Sequence, residues 1–213
     1  MEDNEDNKEF RFQCVHCRNC CTDKNTIVNV TYEDILLIKN GLKLNLDETL
    51  EALGFYVFEK PPTNEELKKM VVPPIKTENG LAFVGLLKDR IGNCIFHDGK
   101  KNRCKIYALR PMFCRTFPFS FRIHVDKQDN DKMELEIYLT DKGHEYCEGI
   151  KDDFPPINME KWIQLGTHTI KNMNDNNILI KKWNDAVNSG KIEASARNFL
   201  LTVLNLDKKE ENI

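Results

Sequence analysis

Apolar positions along the chain fall into three regimes. In the first third they recur at helical spacing in short bursts. Thr31-Tyr32-Glu33-Asp34 reads as a helix start, with an acid three residues after the capping threonine. Ile35, Leu36, Ile38 and Leu42 then mark a short amphipathic helix. Asp47 is placed to cap a second helix running through Leu50, Leu53 and Phe55. Pro61-Pro62 breaks the chain, Thr63-Asn64-Glu65-Glu66 begins another helical turn, and Pro73-Pro74 ends it.

The middle changes period. Leu81 to Leu87 is a compact apolar run that predicts a buried strand. Phe117, Phe119, Phe121, Ile123 and Val125 alternate with polar residues or proline, and so do Met133, Leu135, Ile137 and Leu139. A period of two marks strands with one buried face, and the polar stretch Lys127 to Lys132 between them predicts a hairpin. The last third returns to helical spacing. Met159, Trp162, Ile163, Gly166, Ile170 and Met173 form one stripe, and Asn172 to Asn177 reads as a turn. Leu179, Trp183, Ala186 and Val187 form a second stripe with Gly190 as its stop, and Ile192, Ala196, Phe199, Leu200, Val203 and Leu204 form a third. The fold class is therefore α+β. A small antiparallel sheet and metal-pinned cysteine loops occupy residues 10–150, and a helical extension, 151–207, packs on them.

With 213 residues, 40% hydrophobic and 31% charged, the composition is that of a soluble globular protein able to bury a core without stapling. A net charge of −3 gives no attraction for a nucleic-acid backbone. No apolar run approaches the roughly 18 residues that span a bilayer. Met1 to Glu9 is acidic, with no apolar core, so it does not read as a secretory signal. The expected location is the cytoplasm, where thiols stay reduced.

That compartment gives the eight cysteines their meaning. Four of them, Cys14, Cys17, Cys20 and Cys21, lie in one octet, C-V-H-C-R-N-C-C. A Cys-x-x-Cys step turns two thiolates toward one ion, and two such steps run end to end here. Thiolate is the preferred ligand of zinc, copper(I) and iron–sulfur clusters. Cys94, Cys104 and Cys114 follow, each pair separated by nine residues, and Cys147 comes last. The first three cysteines fit the bacterial ferredoxin spacing, but the adjacent Cys21 departs from it. Zinc ribbons pair two separated Cys-x-x-Cys knuckles, and the second group has gaps of nine instead. Neighbouring Cys20 and Cys21 diverge on helix or strand, so they more naturally serve two metal atoms than one. Eight thiolates would fill two four-cysteine sites or one polynuclear cluster, with the Cys14–Cys21 group and the later cysteines converging in space. His16 and His97 are further candidate ligands. Thiolate-bound metal carries a formal negative charge, and Arg18, Arg103, Arg110 and Arg115 flank the cysteines as counter-charges. Pro111 sets Cys114 on a rigid segment, with Phe113, Phe117 and Phe119 to wall the site from water.

These segments resemble a known family. Phe12-Gln13-Cys14-Val15-His16-Cys17-Arg18-Asn19-Cys20-Cys21 and Cys104-Lys105-Ile106-Tyr107-Ala108-Leu109-Arg110-Pro111-Met112-Phe113-Cys114-Arg115-Thr116-Phe117-Pro118-Phe119 are similar to the CxxCxxCC, or YkgJ-like, cysteine-cluster proteins. Cys94 stands where that family has a cysteine ahead of the C-x-I-Y stretch. Cys147-Glu148-Gly149 is similar to its closing Cys-Pro-Gly, with Glu148 in place of proline. The resemblance covers roughly Phe12 to Gly149 and implies zinc or iron chelation. The family includes flagellin lysine-N-methylase, where a comparable cluster accompanies an iron–sulfur centre. Three functions follow as expectations. The first is a cytoplasmic metalloprotein holding a four-iron, four-sulfide cluster or zinc through all eight cysteines. The second is a zinc-stabilised module that binds a protein partner. The third is a protein-lysine methylase-like enzyme, against which the chain shows neither a dinucleotide-type Gly-x-Gly loop nor the C-x3-C-x2-C spacing.

Overall fold

The Thr31 hydroxyl accepts from the Asp34 amide, and the Asp34 carboxylate accepts from the Thr31 amide, in the computed structural model of the chain. The structure describes residues 9–125 and 133–210. This reciprocal cap starts helix α2 (Tyr32–Leu42), which follows α1 (Asn19–Thr22), a single turn carrying two cysteines. Helix α3 (Leu46–Ala52) departs from expectation. Its cap is Asn45, paired with Glu48, so Asp47 sits in the first turn, and the helix stops at Ala52. Leu53 and Phe55 belong instead to strand β1 (Leu53–Val57). Gly54, Phe55, Tyr56 and Val57 are poor helix formers, and a sheet partner decides the matter. Helix α4 (Asn64–Lys69) begins at Thr63 with the same kind of box, closed by Glu66.

Strands β2 (Ile75–Thr77) and β3 (Gly80–Leu86) complete an antiparallel sheet in the order β1-β3-β2. A two-residue pair, β4 (His97–Asp98) and β5 (Arg103–Cys104), comes next. A 3-10 turn (Tyr107–Leu109) and helix α5 (Met112–Thr116) follow, with Pro111 at the helix N-cap. Strands β6 (Phe119–Val125) and β7 (Met133–Leu139) pair from Phe119 opposite Leu139 to Val125 opposite Met133. The connection expected over Lys127 to Lys132 lies outside the described residues. Helix α6 (Asp141–Tyr146) leads toward the C-terminal helices.

Those helices are α7 (Met159–Asn188), 30 residues long, and α8 (Ala196–Glu210). The turn expected at Asn172 to Asn177 does not form. Asparagine favours turns because its amide competes for nearby backbone. Here the amides are engaged elsewhere: Asn176 accepts from the Tyr32 amide at 3.0 Å and Asn172 donates to Glu33. Both reach the first turn of α2, whose amides lack intrahelical partners. Gly190, at φ 71°, ends the run after α7. Among the described residues no helix is long and apolar enough to cross a membrane.

One core joins these parts. Ile35 and Ile38 of α2, Val84 and Leu86 of β3, Trp183 of α7, and Leu200 and Val203 of α8 belong to a single buried cluster. The Trp183 ring meets Phe199 edge-on at 5.4 Å, and its indole N–H donates to the Lys76 carbonyl at 3.0 Å. Among the described residues, Asp34 is the charged side chain of the interior, 1% exposed. Its second carboxylate oxygen accepts from the Met112 amide at 2.8 Å and lies 3.9 Å from Arg115. Burial pushes its pKa up, while donors from Thr31 and Met112 and the Arg115 charge pull the other way.

Two substitutions test this arrangement. Asp34→Asn places an amide donor against donors, so urea unfolding should show a loss of about 1–3 kcal/mol. Trp183→Ala should cost about 3–5 kcal/mol by the same measurement. Because Trp183 bonds to Lys76, packs on Phe199 and takes no part in lining the cysteine cavity, metal bound per folded chain should not change.

Candidate metal centre

A strap of backbone hydrogen bonds delivers the first cysteines. Ile157 N donates to Phe10 O at 2.9 Å, Phe12 N to Pro155 O at 3.2 Å and Gln13 N to Gly149 O at 3.0 Å. At Gly149 the approach is too close for a side chain, since a Cβ would lie 2.6 Å from the Gln13 carbonyl oxygen. Beyond the strap, His16 (φ 55°) and Arg18 (φ 69°) adopt left-handed backbone on either side of Cys17. Such angles are uncommon outside glycine. They reverse the chain twice, so that successive Cys-x-x-Cys steps stay on one side. Helix α1 then carries Cys20 and Cys21, with sulfurs 4.0 Å apart.

The later cysteines are brought to that turn. Cys94 N donates to Cys21 O at 2.8 Å, which joins the two groups through backbone. Cys104 lies on β5, opposite His97. Cys114 sits on α5, its amide donating to Pro111 O at 2.9 Å, two residues on from the Met112 amide that Asp34 holds. Cys147 ends α6. Asn19 donates to the neighbouring Tyr146 carbonyl at 2.9 Å and to Glu148 at 3.2 Å, so the residue in the proline position has its own partner.

All eight cysteines, Cys14, Cys17, Cys20, Cys21, Cys94, Cys104, Cys114 and Cys147, are free thiols lining one cavity of about 80 Å³. His16 and His97 line it too. His16 packs on Tyr107, with ring centroids 4.8 Å apart, and His97 Nε2 is buried with no hydrogen-bond partner. Arg18, Arg103 and Arg110 reach the cavity, and Arg110 lies 3.9 Å over the Tyr107 ring. Arg115 does not reach it. Its guanidinium turns to Asp34, leaving Nε buried without a partner. The aromatic wall also differs from expectation. Phe12, Phe96 and Phe117 line the cavity. Phe119 instead packs edge-on against Phe10, Phe12 and Trp162, and Phe113 packs on the main core.

The thiols perturb one another. Burial pushes Cys114 well up, and Cys20, Cys94 and Cys104 add to the effect. Cys147 is raised by burial and then by Cys17, Cys14 and Cys20. Cys20 is lowered to about 7 by its contact with Cys21, which is itself raised by that contact and by burial. Cys20 thus acts on both Cys114 and Cys147, while Cys94 and Cys104 act on Cys114, and Cys14 and Cys17 act on Cys147.

Eight thiols with imidazoles at the rim are the donor set of a thiophilic metal, and the unpartnered His97 nitrogen suits the same role. Among the described residues, no three Cys, His, Asp or Glu side chains converge closely enough to hold one ion as they stand. Residues that the sequence did not single out do the positioning. Asp34 reads locally only as a cap, and Asn19 and Tyr107 carry no signal beyond lying inside the cysteine segments.

No solved structure matches the chain significantly. The chain is 30% identical over 141 residues to "Uncharacterized protein MJ0661" of Methanocaldococcus jannaschii, an alignment covering 65% of this chain and 58% of that protein. Residues 13–148 match the family described as "Putative zinc- or iron-chelating domain". That span takes in all eight cysteines, and the chain belongs to the CxxCxxCC family of metal-chelating domains.

Proposed function

We propose that this chain is a cytoplasmic metalloprotein whose eight cysteines hold an iron–sulfur centre, with a four-iron, four-sulfide cluster favoured over zinc. The observation that carries this reading is the single cavity of about 80 Å³ lined by every cysteine. One water-sized body needs roughly 10–15 Å³ of such space. The cavity therefore suits a polynuclear group. A lone zinc needs four donors about 2.0–2.3 Å from one point, and no three converge in that way among the described residues. The family supports zinc or iron chelation in general.

When bound, an iron–sulfur cluster supplies one-electron chemistry at a potential set by its surroundings. The chain's own residues set those surroundings. Arg110 brings positive charge to the thiol cavity, and it is fixed there by the Tyr107 ring and by donation to the Tyr107 and Cys114 carbonyls. Phe12, Phe96 and Phe117 supply an apolar part of the wall, while Cys14 and Cys20 stay exposed to water. Asp34 and Pro111 hold the helix that presents Cys114. A reducing cytoplasm keeps the eight thiols free for metal. Zinc is the competing reading, because the family description names zinc as well as iron.

Metal analysis with a visible spectrum on protein purified without oxygen decides between them. The cluster predicts a broad visible band with matching iron and acid-labile sulfide. A colourless, air-stable protein carrying stoichiometric zinc would overturn it. Cys17→Ser and Cys104→Ser, one from the first octet and one from the later cysteines, should each lower metal content and the urea midpoint together. Retention of full metal by either variant would remove that residue from the ligand set.

A further inference from the structure

Charge is unevenly distributed along the chain. Residues 88–110 hold seven basic and two acidic side chains, a net charge of +5 in a chain of −3, which leaves −8 for the rest. Both acids are tied to their own turns. Asp89 accepts from the Ile91 and Asn93 amides at 3.0 and 2.9 Å, and Asp98 accepts from the Lys100 and Lys101 amides, each at 3.1 Å. Elsewhere surface cations find carboxylates: Arg122 pairs with Glu136, Lys142 with Asp23 and Arg197 with Asp47. Among the described residues, no salt bridge engages Arg90, Lys100, Lys101, Arg103 or Lys105, all of them exposed.

Part of this excess stands at the thiol cavity. Arg103 lines it, together with Arg18 and Arg110. The Arg18 guanidinium donates to Asn102 at 2.6 Å, which ties the first cysteine octet to the β4–β5 hairpin. Lys100 and Lys101 precede Asn102 in that hairpin, and neither lines the cavity. The three arginines can answer charge on the thiols. The two lysines carry their charge into solvent.

Beside these cations is an apolar surface. Val15 and Tyr107 line the same cavity, and each is 41% exposed. Exposed aliphatic and aromatic groups next to arginine, edged by charge, have the anatomy of a protein–protein interface. A nucleic acid of any length would run past residues 88–110 onto a chain whose remaining charge is −8 and repels it. A folded partner can present its acids over one patch alone.

We infer that this face docks an acidic surface of another protein, whose carboxylates meet Lys100, Lys101 and Arg103 around an apolar contact on Val15 and Tyr107. The docked partner covers Cys14 and Cys20, the exposed thiols of the same cavity. The assignment rests on charge and exposure and does not depend on which metal the thiols hold.

The probe is a fluorescein-labelled, end-capped peptide of glutamates flanking a central phenylalanine, titrated onto the intact chain and read by fluorescence anisotropy. It should bind saturably, and the same peptide with lysines for glutamates should not. Raising the salt from about 0.02 M to about 0.2 M should weaken binding steeply. Glycine in place of the phenylalanine should weaken it about threefold. Lys100→Glu together with Lys101→Glu should weaken it about tenfold. Lys181→Glu with Lys182→Glu, at exposed positions of α7, makes the same change in net charge and should leave binding as it was. Urea unfolding shows that each variant folds, and if the first pair does not, the salt series and the lysine peptide decide. No saturable binding, or equal losses from the two lysine pairs, would overturn the surface. An oligothymidylate of equal charge that binds more tightly than the peptide would overturn the acidic-protein assignment.

Discussion

A buried carboxylate ties the cysteine region to the rest of the molecule. Asp34 accepts from both donors of Thr31 with one oxygen and from the Met112 amide with the other. A charge this deep is tolerated only when donors surround it. The first turn of α2 and the start of α5 supply them, so each segment is held where the other needs it. Asn172 and Asn176 of α7 reach the same turn through Glu33 and the Tyr32 amide. Three elements distant in sequence thus meet within Thr31–Asp34, and the helix presenting Cys114 hangs from that meeting point.

The sulfurs arrive around this anchor by different routes. Left-handed residues turn the first group, a backbone hydrogen bond from Cys94 to Cys21 joins the second, a two-residue hairpin carries Cys104, and the end of α6 carries Cys147. No single segment supplies a complete four-thiolate set outside the first octet. This explains why the spacing fits neither a ferredoxin nor a zinc ribbon: those patterns describe ligands delivered locally, and half of these come from afar.

Local chemistry was legible in the sequence wherever the cause is local. The caps at Thr31 and Thr63 and the alternation in β6 and β7 stand where the pattern put them. Gathering of the cysteines was legible too, because eight thiols with repeated Cys-x-x-Cys steps and equal later gaps point to shared thiolate chemistry. The departures have tertiary causes. Asn172 and Asn176 stay helical because their amides bond to another helix, and Leu53 to Val57 extends because β3 waits beside it. Arg115 lies among the cysteines in sequence, yet its nearest charge partner is Asp34. Phe119 serves an aromatic cluster with Phe10 and Trp162 that no short-range pattern announces.

The strap at the chain's beginning imposes an order on assembly. Arg11 donates to the Phe154 carbonyl across 143 residues, and the backbone pairs of Phe10, Phe12 and Gln13 span similar distances. Closing so long a loop adds little cost per residue, about 0.6 kcal/mol for each doubling, but it cannot happen before the far end exists. The Cys14–Cys21 octet therefore gains this support only once the segment just ahead of α7 has been made.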